Sequence, residues 1–187
     1  MKILIIDNYD SFVYNIVHML YELGVSDLAI IKNDKVNIEE IDDYDGILFS
    51  PGPGVPSEAG KMLQIIKKFA GTKKMLGVCL GHQAISEVFG GKLINLKEPL
   101  HGITTTIRIE KHDSLFEGLP KSFEIGHYHS WIVDENLPDT LEVMARDGKG
   151  NVAAIKHYEY DVWGVQFHPE SVLTQFGKNI FKNWINI

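Results

Sequence analysis

The sequence predicts an α/β fold: an open, mostly parallel twisted sheet with helices on both faces and extra antiparallel strands at one edge. Three observations carry this prediction. Short apolar runs alternate with amphipathic helical segments through the first half of the chain, the pattern of strand–helix–strand units. The second half changes to closely spaced strand-like runs divided by tight turns. Several of the apolar runs end abruptly in loops rich in Gly, Pro or polar residues, and it is at such strand ends that open α/β sheets bind ligands.

The elements follow in order. Ile3 to Ile6 is wholly apolar, as a strand buried on both faces must be. Asp7-Asn8-Tyr9-Asp10-Ser11 breaks it and offers candidate helix N-caps. Phe12, Ile16, Leu20 and Leu23 recur at helical spacing, with Gly24 as a stop. Leu28 to Ile31 is a second strand, and the polar stretch from Asn33 to Asp45 has room for a short helix. Gly46 to Phe49 is a third strand running into Ser50-Pro51-Gly52-Pro53-Gly54-Val55-Pro56, which can be neither helix nor central strand. Met62, Ile65, Ile66 and Phe69 mark an amphipathic helix closed by Gly71. Lys74 to Val78 is a fourth strand ended by Cys79, and Gly81 to Phe89 is a helix with Gly90-Gly91 at its end. Right-handed crossovers make these strands parallel.

Beyond this point Lys92 to Leu96, Thr104 to Glu110, Ser122 to His127, Leu141 to Ala145, Val152 to Lys156 and Val162 to Phe167 are strand-like, with at least one returning to the main sheet. Phe176 to Ile185 is a terminal helix. No repeat, low-complexity tract or linker interrupts the chain, so residues 1–187 are expected to form one domain.

Composition narrows the function. Asp and Glu total 25 against 18 Lys and Arg, a net charge of −7. That balance offers no basic footprint for nucleic acid or an anionic membrane. No apolar run approaches the ~20 residues that span a bilayer, and the opening residues do not read as a secretory signal. The single cysteine suits a reducing compartment or a nucleophile. The expected location is cytoplasmic.

Three strand-end motifs bear chemistry. Gly77-Val78-Cys79-Leu80-Gly81 has the spacing of a G-x-S-x-G nucleophile elbow with Cys in place of Ser. A sharp strand-to-helix turn strains the nucleophile's backbone, flanking glycines relieve the crowding, and the helix N-terminus favours a thiolate. The alternative is a buried cysteine acting as a small hydrophobe. His168, in Gln166-Phe167-His168-Pro169-Glu170, ends an apolar strand, and Glu170 can lean toward it as the orienting carboxylate of a triad. A lone strand-end histidine is otherwise a satisfied surface or core residue. Pro51-Gly52-Pro53-Gly54 could present N–H groups to an oxyanion opposite Leu80, cradle a phosphate, or form a plain turn. His127 and His129 share one strand face, but no third ligand stands at convincing spacing, so neither metal nor cofactor is expected. Trp131, Trp163 and Trp184 fit core or interface positions, and the acidic cluster at residues 39–43 fits a solvated face.

Together, Ser50 to Pro56, Gly77 to Gln83 and Gln166 to Ser171 resemble the class I (triad) glutamine amidotransferase family over nearly the whole chain. Asp7-Asn8-Tyr9-Asp10-Ser11-Phe12 and Tyr128-His129-Ser130 are similar to its anthranilate synthase and aminodeoxychorismate synthase subgroup. The resemblance implies Cys79 as nucleophile, His168 as base and Glu170 as its orienter. It implies backbone N–H groups of Gly52 and Leu80 as an oxyanion hole. It implies glutamine held by Gly52, Gly54, Gln83, Ser130 and Trp131, the last two largely through backbone. The implied partner is a chorismate-using synthase subunit that receives ammonia, most readily for anthranilate and tryptophan synthesis, with aminodeoxychorismate as the alternative. Weak glutaminase activity alone and stimulation by the partner are expected. Two departures stand out: His127 where many relatives have Arg, and Trp131 where many have Leu. The rivals are a free-standing Cys–His hydrolase and a non-catalytic binding module.

Overall fold

The computed structural model describes all residues, Met1–Ile187. Nine strands form one sheet: β1 (Lys2–Asp7), β2 (Asp27–Lys32), β3 (Gly46–Phe49), β4 (Lys74–Val78), β5 (Leu93–Ile109), β6 (Ser122–Val133), β7 (Leu141–Asp147), β8 (Val152–His157) and β9 (Val162–Val165). The helices are α1 (Val13–Glu22), α2 (Met62–Phe69), α3 (Leu80–Val88) and α4 (Gly177–Asn186). The strand order is β2-β1-β3-β4-β9-β8-β7-β5-β6. The first five in that order pair in parallel, and the other four continue antiparallel.

The alternation of side chains along a strand sorts the core into two layers. Ile3 and Ile5 of β1 pack with Ile16 and Leu20 of α1 and Phe181 and Trp184 of α4. Leu4 and Ile6 face the other way, onto Ile65 and Ile66 of α2 and Ala84 and Ile85 of α3. Helices therefore cover both faces, which is why the parallel strands read as unbroken apolar runs.

β9 is the strand that returns to the main sheet. It lies parallel to β4, with Val78 opposite Val165, while Phe49 of β3 lies opposite Gly77. The C-terminal ends of β3, β4 and β9 thus stand side by side, and their three loops emerge together.

The long hairpin departs from the sequence reading. The two strands expected at Lys92–Leu96 and Thr104–Glu110 are one strand, β5, with register shifts between Asn95 and Leu100 and between His101 and Ile103. Pro99 cannot donate to a ladder, and Gly102 sits at φ 66°, so the irregularities interrupt the sequence pattern without ending the strand. β6 likewise continues past His127 to Val133. The polar stretch holds a short 3-10 turn, Ile38–Asp43, capped by the Asn37 side chain. No helix is long and apolar enough to cross a membrane.

One buried carboxylate ties the added strands to the core. Asp113 accepts hydrogen bonds from Trp163 Nε1 at 2.9 Å, Leu115 N at 2.8 Å and Lys156 Nζ at 2.8 Å. Asp113→Ala would orphan a buried indole N–H and a lysine, so about 2–3 kcal/mol of stability is expected to be lost, or roughly 5–10 °C in Tm. A thermal melt checks this; an unchanged Tm would contradict the role given to the carboxylate.

Candidate active site

Cys79 joins β4 to α3 at φ 51°, ψ −99°, a conformation that costs a non-glycine residue on the order of 1–3 kcal/mol. The neighbouring glycines make the turn sterically feasible. A Cβ on Gly77 would lie 2.4 Å from the backbone C and O of Gly81, and one on Gly81 would lie 2.7 Å from Phe49 Cβ and O. The backbone is pinned on both sides: Cys79 N donates to Val165 O at 2.8 Å, and Gln83 N donates to Cys79 O at 3.0 Å. The thiol is buried. Leu80 begins α3, so its N–H has no acceptor one turn back.

His168 follows β9 and is locked by its own backbone. Its N–H donates to Gly126 O at 3.2 Å, and its carbonyl accepts from Thr174 Oγ1 at 2.6 Å and Ser171 N at 3.1 Å. Its Nδ1 meets Glu170 Oε1 at 2.6 Å, with both residues buried. Nε2 makes no aligned hydrogen bond with the protein. Burial alone would lower the imidazole's pKa, but the charge of nearby Cys79 and the Glu170 contact outweigh it and raise the value well above the ordinary 6.5.

Three other buried imidazoles nearby are shifted toward the neutral form. Burial pushes His82 down to about 3, and burial with the neighbouring His127 and His168 pushes His129 to about 3. His127, also lowered by burial, bonds His129 Nε2 through Nδ1 at 2.9 Å and Thr105 Oγ1 through Nε2 at 2.7 Å. The pair thus uses its facing nitrogens on each other. No group of three or more His, Cys, Asp or Glu side chains converges on a point that could hold a metal ion.

The loop after β3 is clamped by Asn8. Asn8 N donates to Ser50 Oγ at 2.9 Å, and its Nδ2 donates to Ser50 O at 2.8 Å, while Oδ1 accepts from Asn33 at 3.0 Å. Gly52 packs so closely that a Cβ there would meet Asn8 at 2.6 Å and Leu80 Cδ2 at 3.0 Å. Its N–H makes no hydrogen bond within the protein. Gly54 turns at φ 75°.

These parts meet at a cleft of about 210 Å³ lined by Gly52, Pro53, Gly54, Cys79, Gln83, Pro99, His101, Tyr128, His129, Ser130 and Trp131. Every residue assigned to glutamine binding from the sequence therefore lines one cleft with the cysteine. Gln83 is largely committed to the protein: its Nε2 donates to Trp131 O at 2.9 Å and to Gln166 Oε1 at 3.2 Å. Three neighbours received no role from the sequence. Asn8 holds the loop, Gln166 Nε2 approaches Cys79 Sγ at 3.6 Å, and the Tyr128 ring stands edge-on to His168 with centroids 5.1 Å apart. All three lie within the motifs, but their partners are far away in sequence.

A thiol, an imidazole–carboxylate pair and unclaimed backbone donors around a small cleft are the parts that thiol-based acyl transfer requires. The comparisons with known proteins specify the class. Residues 4–187 match the profile of the glutamine amidotransferase class-I family, and the chain belongs to that family. It is 46% identical over 188 residues to the aminodeoxychorismate/anthranilate synthase component 2 of Bacillus subtilis, covering 98% of this chain and 95% of that one. It is 44% identical over 190 residues to the bifunctional protein TrpGD of Thermotoga maritima, of which it spans 32%. A solved glutamine amidotransferase of Thermotoga maritima superposes with a TM-score of 0.76 at 17% identity, covering 100% of this chain and 81% of that one, a likeness of fold.

The electrostatics give a testable contrast. At pH 6, ring-nitrogen NMR is expected to show His168 as imidazolium while His82 and His129 stay neutral. Because the folded His168 value is raised, its contribution to stability is fully present below about pH 6.5 and is lost as pH rises through the folded value. A neutral His168 at pH 6 would overturn this arrangement.

Proposed function

We propose that the chain is the glutaminase subunit of a chorismate-using synthase, hydrolysing glutamine and handing ammonia to its partner. Anthranilate is the product assigned. The observation that carries this reading is that Cys79 shares one cleft with the Gln83–Trp131 wall while the buried His168–Glu170 pair stands behind the thiol, in a chain whose near-full-length relative in Bacillus subtilis is named as a component of those synthases. The same relative's name includes aminodeoxychorismate, so service to a second partner is the alternative. A cytoplasmic location follows from such a biosynthetic role.

In this mechanism the Cys79 thiolate attacks the side-chain amide carbon of glutamine. The N–H groups of Gly52 and Leu80 bind the oxyanion, a contribution of about 3 kcal/mol per donor. Gly54, Ser130 and Trp131 seat the substrate mainly by backbone. His168 gives its proton to departing ammonia, then takes one from water, which hydrolyses the thioester. Glu170 orients the imidazole through Nδ1. Ammonia is mostly protonated in neutral water, where it is no nucleophile, so delivery shielded from solvent is required. The exposed side chains of Phe12 and Val172 flank the cleft motifs and suit a protein partner.

The test is glutamate release by the purified chain, with and without an anthranilate synthase component I and chorismate. Partner-dependent stimulation is expected; high activity indifferent to the partner would favour a free-standing hydrolase. In the complex, Cys79→Ala should abolish glutamine-dependent product and spare ammonia-dependent product. His168→Ala should slow turnover by about 10²–10⁴-fold and Glu170→Gln by less; the reverse order would sink that division of roles.

A further inference from the structure

Gln166 is the one polar side chain besides the triad with an atom directed at the nucleophile. It is buried, and its Nε2 lies 3.6 Å from Cys79 Sγ. Which end of an amide faces a neighbour is decided by its hydrogen bonds, and here the decision begins at a main-chain carbonyl. Trp131 O can only accept, so the Gln83 atom 2.9 Å from it is Nε2, a donor. That same Nε2 has a second hydrogen, directed 3.2 Å to Gln166. The Gln166 atom it meets must accept and is therefore Oε1. The remaining Gln166 atom, Nε2, is left to donate to sulfur. The polarity of the whole line, from β6 through α3 to the loop after β9, is set by one carbonyl.

We propose that Gln166 donates a hydrogen bond to the Cys79 thiolate, and that Gln83 is the positioning residue that fixes the direction of this donor. This deepens the glutaminase reading and rests on Cys79 as its nucleophile. A donor to sulfur favours the charged, attacking form over the neutral thiol. Turned the other way, the Gln166 carbonyl would face the sulfur and favour the thiol. The same Gln83 amide holds the Trp131 carbonyl in the cleft wall, so the substrate's seat and the nucleophile share one hydrogen-bonded tie. No proton is transferred along it; both amides keep their hydrogens throughout. The titratable groups packed around this tie are His168 with Glu170 behind it and Tyr128 and Asp10 beside that pair, His129 and His127 on β6, and His82 on α3; of these imidazoles only His168 is raised toward the charged form, the others being lowered by burial.

The test is the pH dependence of Cys79 alkylation by iodoacetamide in the full chain, which needs no glutamine turnover. Gln166→Leu should move the alkylation profile to higher pH by about one unit and slow the reaction about tenfold below its midpoint, since one unit is tenfold in thiolate population. Gln166→Glu, nearly the same shape, should move it further because a carboxylate then faces the sulfur. Gln83→Leu should move it in the same direction, by releasing the Gln166 amide to turn. A role in packing alone predicts that Glu behaves like Gln and that Gln83→Leu has no effect; either result overturns the proposal. If Gln166→Leu does not fold, the Gln166→Glu and Gln83→Leu profiles decide it. A wild-type thiol unreactive below pH 8 would instead sink the nucleophile assignment itself.

Discussion

Cys79 sits at positive φ, between a strand and a helix that both need its peptide groups, and the geometry of the cleft follows from that one strained residue. Its N–H belongs to the β9 ladder and its carbonyl to the first turn of α3, so the chain has no freedom to relax. The strain is sustainable only because Gly77 and Gly81 have no side chains. A Cβ on either would strike backbone within 2.7 Å, where something must shift. Gly164 completes the packing from β9: a Cβ there would lie 2.7 Å from His82 Nδ1. Two neighbouring strands, β4 and β9, and α3 itself therefore contribute glycine where the α3 N-terminus presses against the sheet.

The same crowding sets the electrostatics. Burial penalises charge at the buried imidazoles beside the cleft, and it lowers the values of His82, His127 and His129. His168 differs because Cys79 near one side of the ring and the Glu170 contact on Nδ1 both favour its charged form. Neutral histidines nearby avoid competing for that proton while still filling the wall of the cleft.

Legibility in the sequence followed the range of the interaction. The elbow, His168–Glu170 and the Pro51–Gly54 loop could be read because each is a local pattern at a strand end, and the alternating first half required those ends to be adjacent. The β3, β4 and β9 neighbourhood needed only the inference that one late strand rejoins the parallel sheet. The hairpin was read less well: Pro99 and Gly102 look like a break between two strands, yet pairing with β6 carries the strand through them. The amide contacts could not be read at all. Gln83 and Gln166 are 83 residues apart, Asn8 and Ser50 are 42 apart, and no periodicity reports which buried amide meets which carbonyl.

The account stands on Cys79 attacking a glutamine side chain seated in this cleft. The most direct measurement is labelling of the purified chain with a diazoketone analogue of glutamine, followed by mass spectrometry of the peptides. One label per chain on Cys79, suppressed by excess glutamine, is the predicted result. Labelling that glutamine does not suppress, or a label on another residue, would contradict it.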